Sequence, residues 1–342
     1  MNENEMSFWK SSLEDIEECI KTIKKGRVSQ IGKSAGNRPL YLIEYGEPDI
    51  FERTANYSSA LGAGDVSAYK KHTKPHICLI SGEHGAEWEG IVASLNLIHI
   101  FETGKDYRGA NFDKLATWPE KAYIAIIPCA NPDGRARIPL KTIVGLDRNT
   151  FRKWDQGIWA DGQICEWPNC KRIHPIKEYV KFMGGYFNDN GVNLLHDNAF
   201  APMAEETKAL LKTISEMGPD FIVGMHGHGG MDWGHLLPAY RQNEDCMKKC
   251  MELDELVNQH MEEKGYHFRK RMGDWTECFK RAHINSHDAM HLCCGAVTLT
   301  YESDQGVIVR EGDEKLLDGR HEEIYGKAMT FYETVMEFMS IK

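Results

Sequence analysis

The sequence predicts an α/β fold in which a mixed, mainly parallel central sheet carries helices on both faces. Four short, mainly apolar runs are expected to be strands, and the first two have no polar residues, which is typical of strands buried on both sides. Segments with the apolar spacing of helices lie between them, and alternation of buried strands with helices is typical of α/β proteins. The four runs span residues 77–80, 123–127, 221–225 and 296–301.

The other elements follow from apolar spacing and turn residues. Residues 12–25 have a helical stripe, and the Gly36-Asn37 turn predicts a hairpin. The polar stretch 56–74 is expected to be a surface loop. The hairpin strands are predicted at 28–31 and 40–44, and further helices at 88–103, 205–217, 244–264 and 312–339.

The chain predicts a single domain over residues 1–342, because it contains no repeat, low-complexity tract or linker. At about 153–190 the periodicity breaks down over a stretch too long for a plain connector, which indicates an insertion that forms a lid or a pocket wall. The insertion contains three tryptophans, Trp154, Trp159 and Trp167. Two interpretations stay open: these side chains line a specificity pocket, or they dock the insertion onto the domain.

Composition narrows the class of partner. The net charge of -10 and the lack of a long Lys/Arg run argue against nucleic acid or an anionic membrane as the partner, and favour a small or peptide-sized substrate. The sequence contains neither a signal-peptide pattern nor an apolar stretch of about 18 residues, so a cytoplasmic location is expected. The ten cysteines are then expected to be reduced thiols.

A candidate metal-binding pair follows the first buried run. In Ser81-Gly82-Glu83-His84-Gly85-Ala86-Glu87, the glycines allow a sharp turn that directs His84 and Glu87 out of the strand end. Two ligands three residues apart can reach one metal ion.

A third ligand is expected where the run 221–225 ends in His226-Gly227-His228. His226 is the preferred ligand because it directly follows the apolar run. His228 then either supports the ligand from behind or is itself the alternative ligand. Two histidines, one carboxylate and an open position are typical of catalytic zinc, so we expect one Zn²⁺ per chain. Glu302 ends the run 296–301 and is the candidate general base for a metal-bound water.

Several segments together resemble the M14 family of zinc carboxypeptidases, in the order expected for that family. They are the entry segment 31–40, the His-x-x-Glu loop 82–87 and the Asn-Pro-Asp-Gly turn within 128–134. The resemblance implies a zinc-exopeptidase, carboxypeptidase-like fold and hydrolysis of an amide bond.

The resemblance also implies roles for two later segments. Residues 149–153 are similar to the segment whose arginine stabilises the oxyanion, which gives that role to Arg152, with Arg148 as a rival. Residues 191–194 are similar to a Gly-Val-Asp-Leu segment whose aspartate orients the first zinc histidine; this chain has Asn193 there.

The chain departs from the family where the substrate's terminal carboxylate is gripped. An Asn-Arg pair is expected after Leu194, but the chain has Leu195-His196, and His196 is a weaker substitute for a guanidinium. The family's tyrosine, expected some twenty residues before Glu302, is also missing, since residues 279–300 contain none. The stretch 279–300 offers instead Lys280, Arg281, His283, His287 and His291.

Three functions remain as hypotheses. The first is a metallocarboxypeptidase acting on a small peptide or peptide-like substrate. The second is an N-acyl amino acid deacylase of the succinylglutamate desuccinylase or aspartoacylase type, and the third is a non-catalytic metal-binding relative. Cys165, Cys170 and His174 could form a second zinc site, although free thiols are the preferred interpretation.

Overall fold

The computed structural model describes residues 6–270 and 284–341. Within these residues an eight-stranded sheet has the order β1-β2-β4-β3-β7-β10-β8-β9, and β5 pairs with β6 in a separate ribbon. The strands are β1 (Arg27–Lys33), β2 (Pro39–Tyr45), β3 (His76–Ser81), β4 (Tyr123–Ile127), β5 (Gly157–Trp159), β6 (Val180–Met183), β7 (Phe221–His228), β8 (Gly234–Pro238), β9 (Phe268–Arg269) and β10 (Val297–Asp304).

The centre of the sheet is parallel. Strands β4, β3, β7 and β10 pair in parallel, while β1, β2 and β8 join them antiparallel. These four strands are the four apolar runs of the sequence, and their carboxyl ends lie at one edge. The predicted mixed, mainly parallel sheet is confirmed.

Helices cover both faces of the sheet. The helices are α1 (Leu13–Thr22), α2 (Tyr57–Gly62), α3 (Glu89–Thr103), α4 (Asp113–Ala116), α5 (Trp118–Lys121), α6 (Pro132–Arg137), α7 (Arg148–Asp155), α8 (Glu205–Met217), α9 (Glu244–Glu263), α10 (Ser286–Cys294) and α11 (Arg320–Ile341). Side chains of β3 alternate between two cores: Ile77 and Leu79 join the core with α1, α3, α9 and α11, whereas Cys78 and Ile80 join the core with α2, α8 and α10.

Three predicted boundaries were wrong. The polar stretch 56–74 contains helix α2, because the Asn56 side chain accepts a hydrogen bond from Ser59 N and caps it. The C-terminal helix begins at Arg320, after a short 3₁₀ turn, Asp313–Leu316. Strands β7 and β10 continue beyond their apolar runs, so Glu302 lies inside β10 rather than after it.

The insertion at 153–190 has a small core of its own. Cys165, Cys170, Ile176 and Phe187 are buried together beside the β5–β6 ribbon. Trp159 packs against this core. A helix with the length and apolarity needed to cross a membrane is not found in the described parts of the chain.

Candidate metal centre

The loop after β3 is fixed by close backbone packing. Gly82 has a positive φ of 64°, which only glycine adopts without strain. A Cβ on Gly85 would lie 2.1 Å from Arg135 N, so only glycine allows the loop to approach helix α6 this closely. Trp88 Nε1 donates to Gly85 O at 2.7 Å. These contacts hold His84 and Glu87 at the sheet edge.

The motifs that are separate in sequence support one another in space. Asp133 of the Asn-Pro-Asp-Gly turn accepts from Ser34 Oγ at 2.5 Å and from Arg38 Nη1 at 2.7 Å. Asn131 N in turn donates to Gly82 O at 2.8 Å. The entry segment and the turn therefore act as a scaffold for the His-x-x-Glu loop.

His84, Glu87 and His226 come together at the carboxyl ends of β3 and β7. His84 Nδ1 lies 2.7 Å from Glu87 Oε1, and His226 Nδ1 lies 2.9 Å from Glu87 Oε2. All three side chains are buried, and their ligand atoms lie within 4.8 Å of one another. The three residues predicted as metal ligands thus form one donor cluster.

The hydrogen bonds behind the two histidines indicate which ring atoms are free. His84 Nε2 lies 3.2 Å from Asn193 Oδ1, and His226 Nε2 lies 3.0 Å from Glu83 Oε2. Because these oxygens accept, each Nε2 carries a proton, so the ring nitrogen that could bind a metal ion is the Nδ1 that faces Glu87. Once Nδ1 is deprotonated, two imidazole nitrogens and a carboxylate form a donor set that fits Zn²⁺.

The same geometry perturbs the charges of the cluster. Burial alone lowers the pKa of His226, but the carboxylates of Glu87 and Glu83 raise it well above its usual value. Burial raises the pKa of Glu87, and His84 and His226 outweigh that effect, so the pKa of this carboxyl is lowered. The two carboxylates therefore favour a positive charge at this position, which is supplied either by a proton on His226 or by a bound metal ion.

Glu302 lies beside the cluster. In the parallel β7–β10 pair, Glu302 is in register with His226, so the two side chains project from the same face of the sheet on adjacent strands. Tyr186, from the end of the insertion, stacks on the His84 ring with centroids 3.8 Å apart. Burial and the charges of Asp155, Glu87 and Glu302 raise the pKa of Tyr186 well above its usual value.

Asp155, at the end of α7, is a further carboxyl group near the cluster. It is buried, and its Oδ1 has no hydrogen-bond partner among the described residues. Burial, followed by Glu87, Glu89 and Glu302, raises the pKa of Asp155 well above its usual value. The raised pKa favours the protonated carboxyl, the form that can donate a hydrogen bond.

The other two predicted site residues, Arg152 and His196, are not among the three members of this donor group. Arg152, one turn before Asp155 on α7, forms an ion pair with the carboxylate of Glu166 in the insertion. His196 ends a 3₁₀ turn, Leu194–His196, and is half-buried. Their roles in oxyanion stabilisation and substrate binding stay predictions.

His228 lies apart from the cluster, since its Nε2 lies 2.8 Å from Trp233 O. The geometry thus favours His226 over His228. Cys165 and Cys170 belong to neither of the two groups of potential ligands found among the described residues, and Asn193 N donates to His174 Nε2 at 2.8 Å.

The basic residues offered as substitutes for the missing tyrosine divide into two sets. His287 and His291 are buried, and both ring nitrogens of His287 and the Nδ1 of His291 bond to groups of the protein. Lys280, Arg281 and His283 lie outside the described residues.

Sequence reasoning missed Glu83, Tyr186 and Asp155. Glu83 directly precedes His84, and a carboxylate at the end of a fully apolar strand was a usable signal. Tyr186 and Asp155 flank an aperiodic stretch, and no local pattern indicates that its two ends meet at the cluster.

The family model for zinc carboxypeptidases, Peptidase_M14, matches residues 16–287. The chain therefore belongs to the zinc carboxypeptidase family, whose members are zinc metallopeptidases. A search of curated proteins found no match.

Solved metallocarboxypeptidases share the fold. The metallo-carboxypeptidase of Burkholderia cenocepacia is 13% identical with a TM-score of 0.60, covering 96% of this chain and 70% of that one. That of Pseudomonas aeruginosa, solved with (2-guanidinoethylmercapto)succinic acid, is 12% identical with a TM-score of 0.54, covering 96% and 69%. Bovine thrombin-activatable fibrinolysis inhibitor, bound to tick carboxypeptidase inhibitor, is 14% identical with a TM-score of 0.53, covering 98% and 99%.

Proposed function

We propose that this chain is a zinc-dependent amide hydrolase in which His84, Glu87 and His226 hold one Zn²⁺ and Glu302 is the general base. The observation that carries the proposal is the convergence of both Nδ1 atoms on Glu87, with Glu302 in register beside His226. Bound zinc would polarise the scissile carbonyl and lower the pKa of a water molecule. The non-catalytic alternative requires loss of a ligand or of the base, and all four residues are present.

Three side chains then carry out the remaining steps of proton transfer, oxyanion stabilisation and substrate binding. Glu302 takes the proton from the attacking water and passes it to the leaving amine. Arg152 stabilises the oxyanion once its ion pair with Glu166 opens, because a guanidinium beside the carbonyl oxygen stabilises the charge that grows there. The carboxyl of Asp155, whose Oδ1 has no hydrogen-bond partner among the described residues, offers a hydrogen bond to the substrate.

The substrate we propose is a small peptide or a peptide-like molecule. Leu195 and His196 stand where the family resemblance calls for a carboxylate-gripping Asn-Arg pair, and this observation favours a second candidate, an N-acyl amino acid. Both substrates are cleaved at an amide carbonyl, so the reaction type is the same in either case.

A substrate panel tests the proposal. Zinc-loaded wild-type protein is incubated with short peptides and N-acyl amino acids, and released amines are measured beside Glu302→Gln. We expect cleavage of one class and a fall in kcat of at least about 100-fold in the variant, with zinc retained. Undiminished turnover in Glu302→Gln would remove Glu302 as the base, and a zinc-loaded wild type that cleaves nothing would favour the non-catalytic relative.

A further inference from the structure

A fully buried carboxylate lies behind the second histidine of the cluster. Glu83 Oε2 lies 3.0 Å from His226 Nε2 and 2.7 Å from His287 Nε2, and Glu83 Oε1 accepts from Ser286 Oγ at 2.9 Å. Three donors from β7 and from the start of α10 therefore meet one carboxylate. None of the proposed chemical steps uses Glu83, yet burying a charge is costly unless it is paired in this way.

The network selects one tautomer of each histidine. A carboxylate only accepts, so the protons of both rings lie on Nε2. The Nδ1 of His287 then accepts from Thr300 Oγ1, at 2.8 Å. On His226 the nitrogen left for a metal ion is therefore Nδ1, which faces Glu87 Oε2 at 2.9 Å. Glu83 thus determines which nitrogen of His226 can bind a metal, and it also fixes the plane of the ring.

His84, the first histidine of the cluster, has a weaker hydrogen-bond partner than His226. Its partner is the neutral amide of Asn193, at 3.2 Å, and the Nδ2 of that amide has no hydrogen-bond partner among the described residues. A carboxylate partner raises the basicity of a ligand histidine more than an amide does. The two ligand histidines are therefore supported unequally, with the anionic partner on His226.

We infer that Glu83, held by Ser286 and His287, is a positioning residue that orients His226 and strengthens its bond to the metal. The inference rests on the proposed metal site. The same atoms allow a different arrangement, because Glu83, His226 and His287 also form a group that could hold a second ion. One ion per chain is what the positioning role requires.

The experiment compares Glu83→Gln with Glu89→Gln in the full chain. Glu89 is a second buried glutamate and bonds Gln305 rather than a histidine, so Glu89→Gln controls for replacing a buried carboxyl group by an amide. The metal-free proteins are titrated with zinc against a chromophoric chelator. Folding is followed by circular dichroism, zinc stoichiometry by elemental analysis and ligand geometry by the visible spectrum of the cobalt-substituted protein.

We expect one zinc per chain in the wild type, and a zinc Kd about 10- to 100-fold weaker in Glu83→Gln, with an altered cobalt spectrum. In Glu89→Gln the Kd should stay within about threefold of the wild-type value. A purely structural role for Glu83 would lower thermal stability without changing the cobalt spectrum or the Kd, and that result would overturn the inference.

Two further measurements distinguish a failure of the role inferred for Glu83 from a failure of the proposed function. If Glu83→Gln does not fold, Ser286→Ala, which removes one donor to the carboxylate, should weaken zinc binding about fivefold, and an unchanged Kd would reject the inference. Two zinc ions in the wild type, one of them lost in His287→Ala, would replace it with a second metal site. A wild type that binds no zinc would refute the proposed function itself, whereas normal zinc binding and turnover in Glu83→Gln would refute only the role of Glu83.

Discussion

Replacing Asn193 by aspartate should tighten zinc binding. Asn193 Oδ1 lies 3.2 Å from His84 Nε2, a hydrogen bond from a neutral amide to the ring whose other nitrogen is the proposed zinc ligand. A charge-assisted bond is about twice as strong as a neutral one, or about 1 kcal/mol stronger. Because 1.4 kcal/mol is a factor of about 10, Asn193→Asp should lower the zinc Kd by roughly fivefold.

The assay is a competition titration of metal-free protein with zinc and a chromophoric chelator. The control is Asn190→Asp, which adds the same charge at an exposed position three residues away. A gain from the general electrostatic attraction of zinc would be the same in both variants. Equal Kd values for the two variants, or a weaker Kd in folded Asn193→Asp, would refute the idea that this side chain acts through His84.

Three other predictions follow from the same geometry. Gly85→Ala should destabilise the protein by about 3 kcal/mol in urea unfolding, because its Cβ would meet the Arg135 backbone, and a loss under about 0.5 kcal/mol would contradict the close packing. Zinc must displace the proton held by His226, because the pKa of this histidine is raised. Calorimetry should therefore show about one proton released on zinc binding, and the zinc Kd should decrease as the pH rises above 6.5. A zinc Kd that does not change with pH would contradict this prediction. The stability of the metal-free protein should fall as the pH drops from 4.5, the ordinary pKa of glutamate, toward the lowered pKa values of Glu83 and Glu87. It should also fall as the pH rises from 6.5, the ordinary pKa of histidine, through the raised pKa of His226; thermal unfolding across pH measures both effects.

Local signals in the sequence account for the framework of the site. Buried parallel strands are continuous apolar runs, so β3, β7 and β10 were predictable, and with them the edge where His84, His226 and Glu302 meet. The spacing of His84 and Glu87 also lies within a single loop. These features depend on residues close together in the chain.

The rest depends on contacts that no local pattern encodes. Glu83 and His287 are 204 residues apart and meet only because β7 lies between β3 and β10 in the sheet order. Tyr186 reaches His84 through an insertion that lacks periodicity. Helix α2 was missed because its start depends on a single Asn56 cap within a polar stretch. Side-chain networks behind a site are therefore the part for which the structure was needed.

The most direct test of the account is the zinc content of purified protein in four forms: wild type, His84→Ala, His226→Ala and His228→Ala. We predict one zinc per chain in the wild type and in His228→Ala, because His228 bonds Trp233 O away from the cluster. We predict its loss, together with amide hydrolysis, in the other two variants. Retention of zinc in His226→Ala with loss in His228→Ala would contradict the assignment of the metal site.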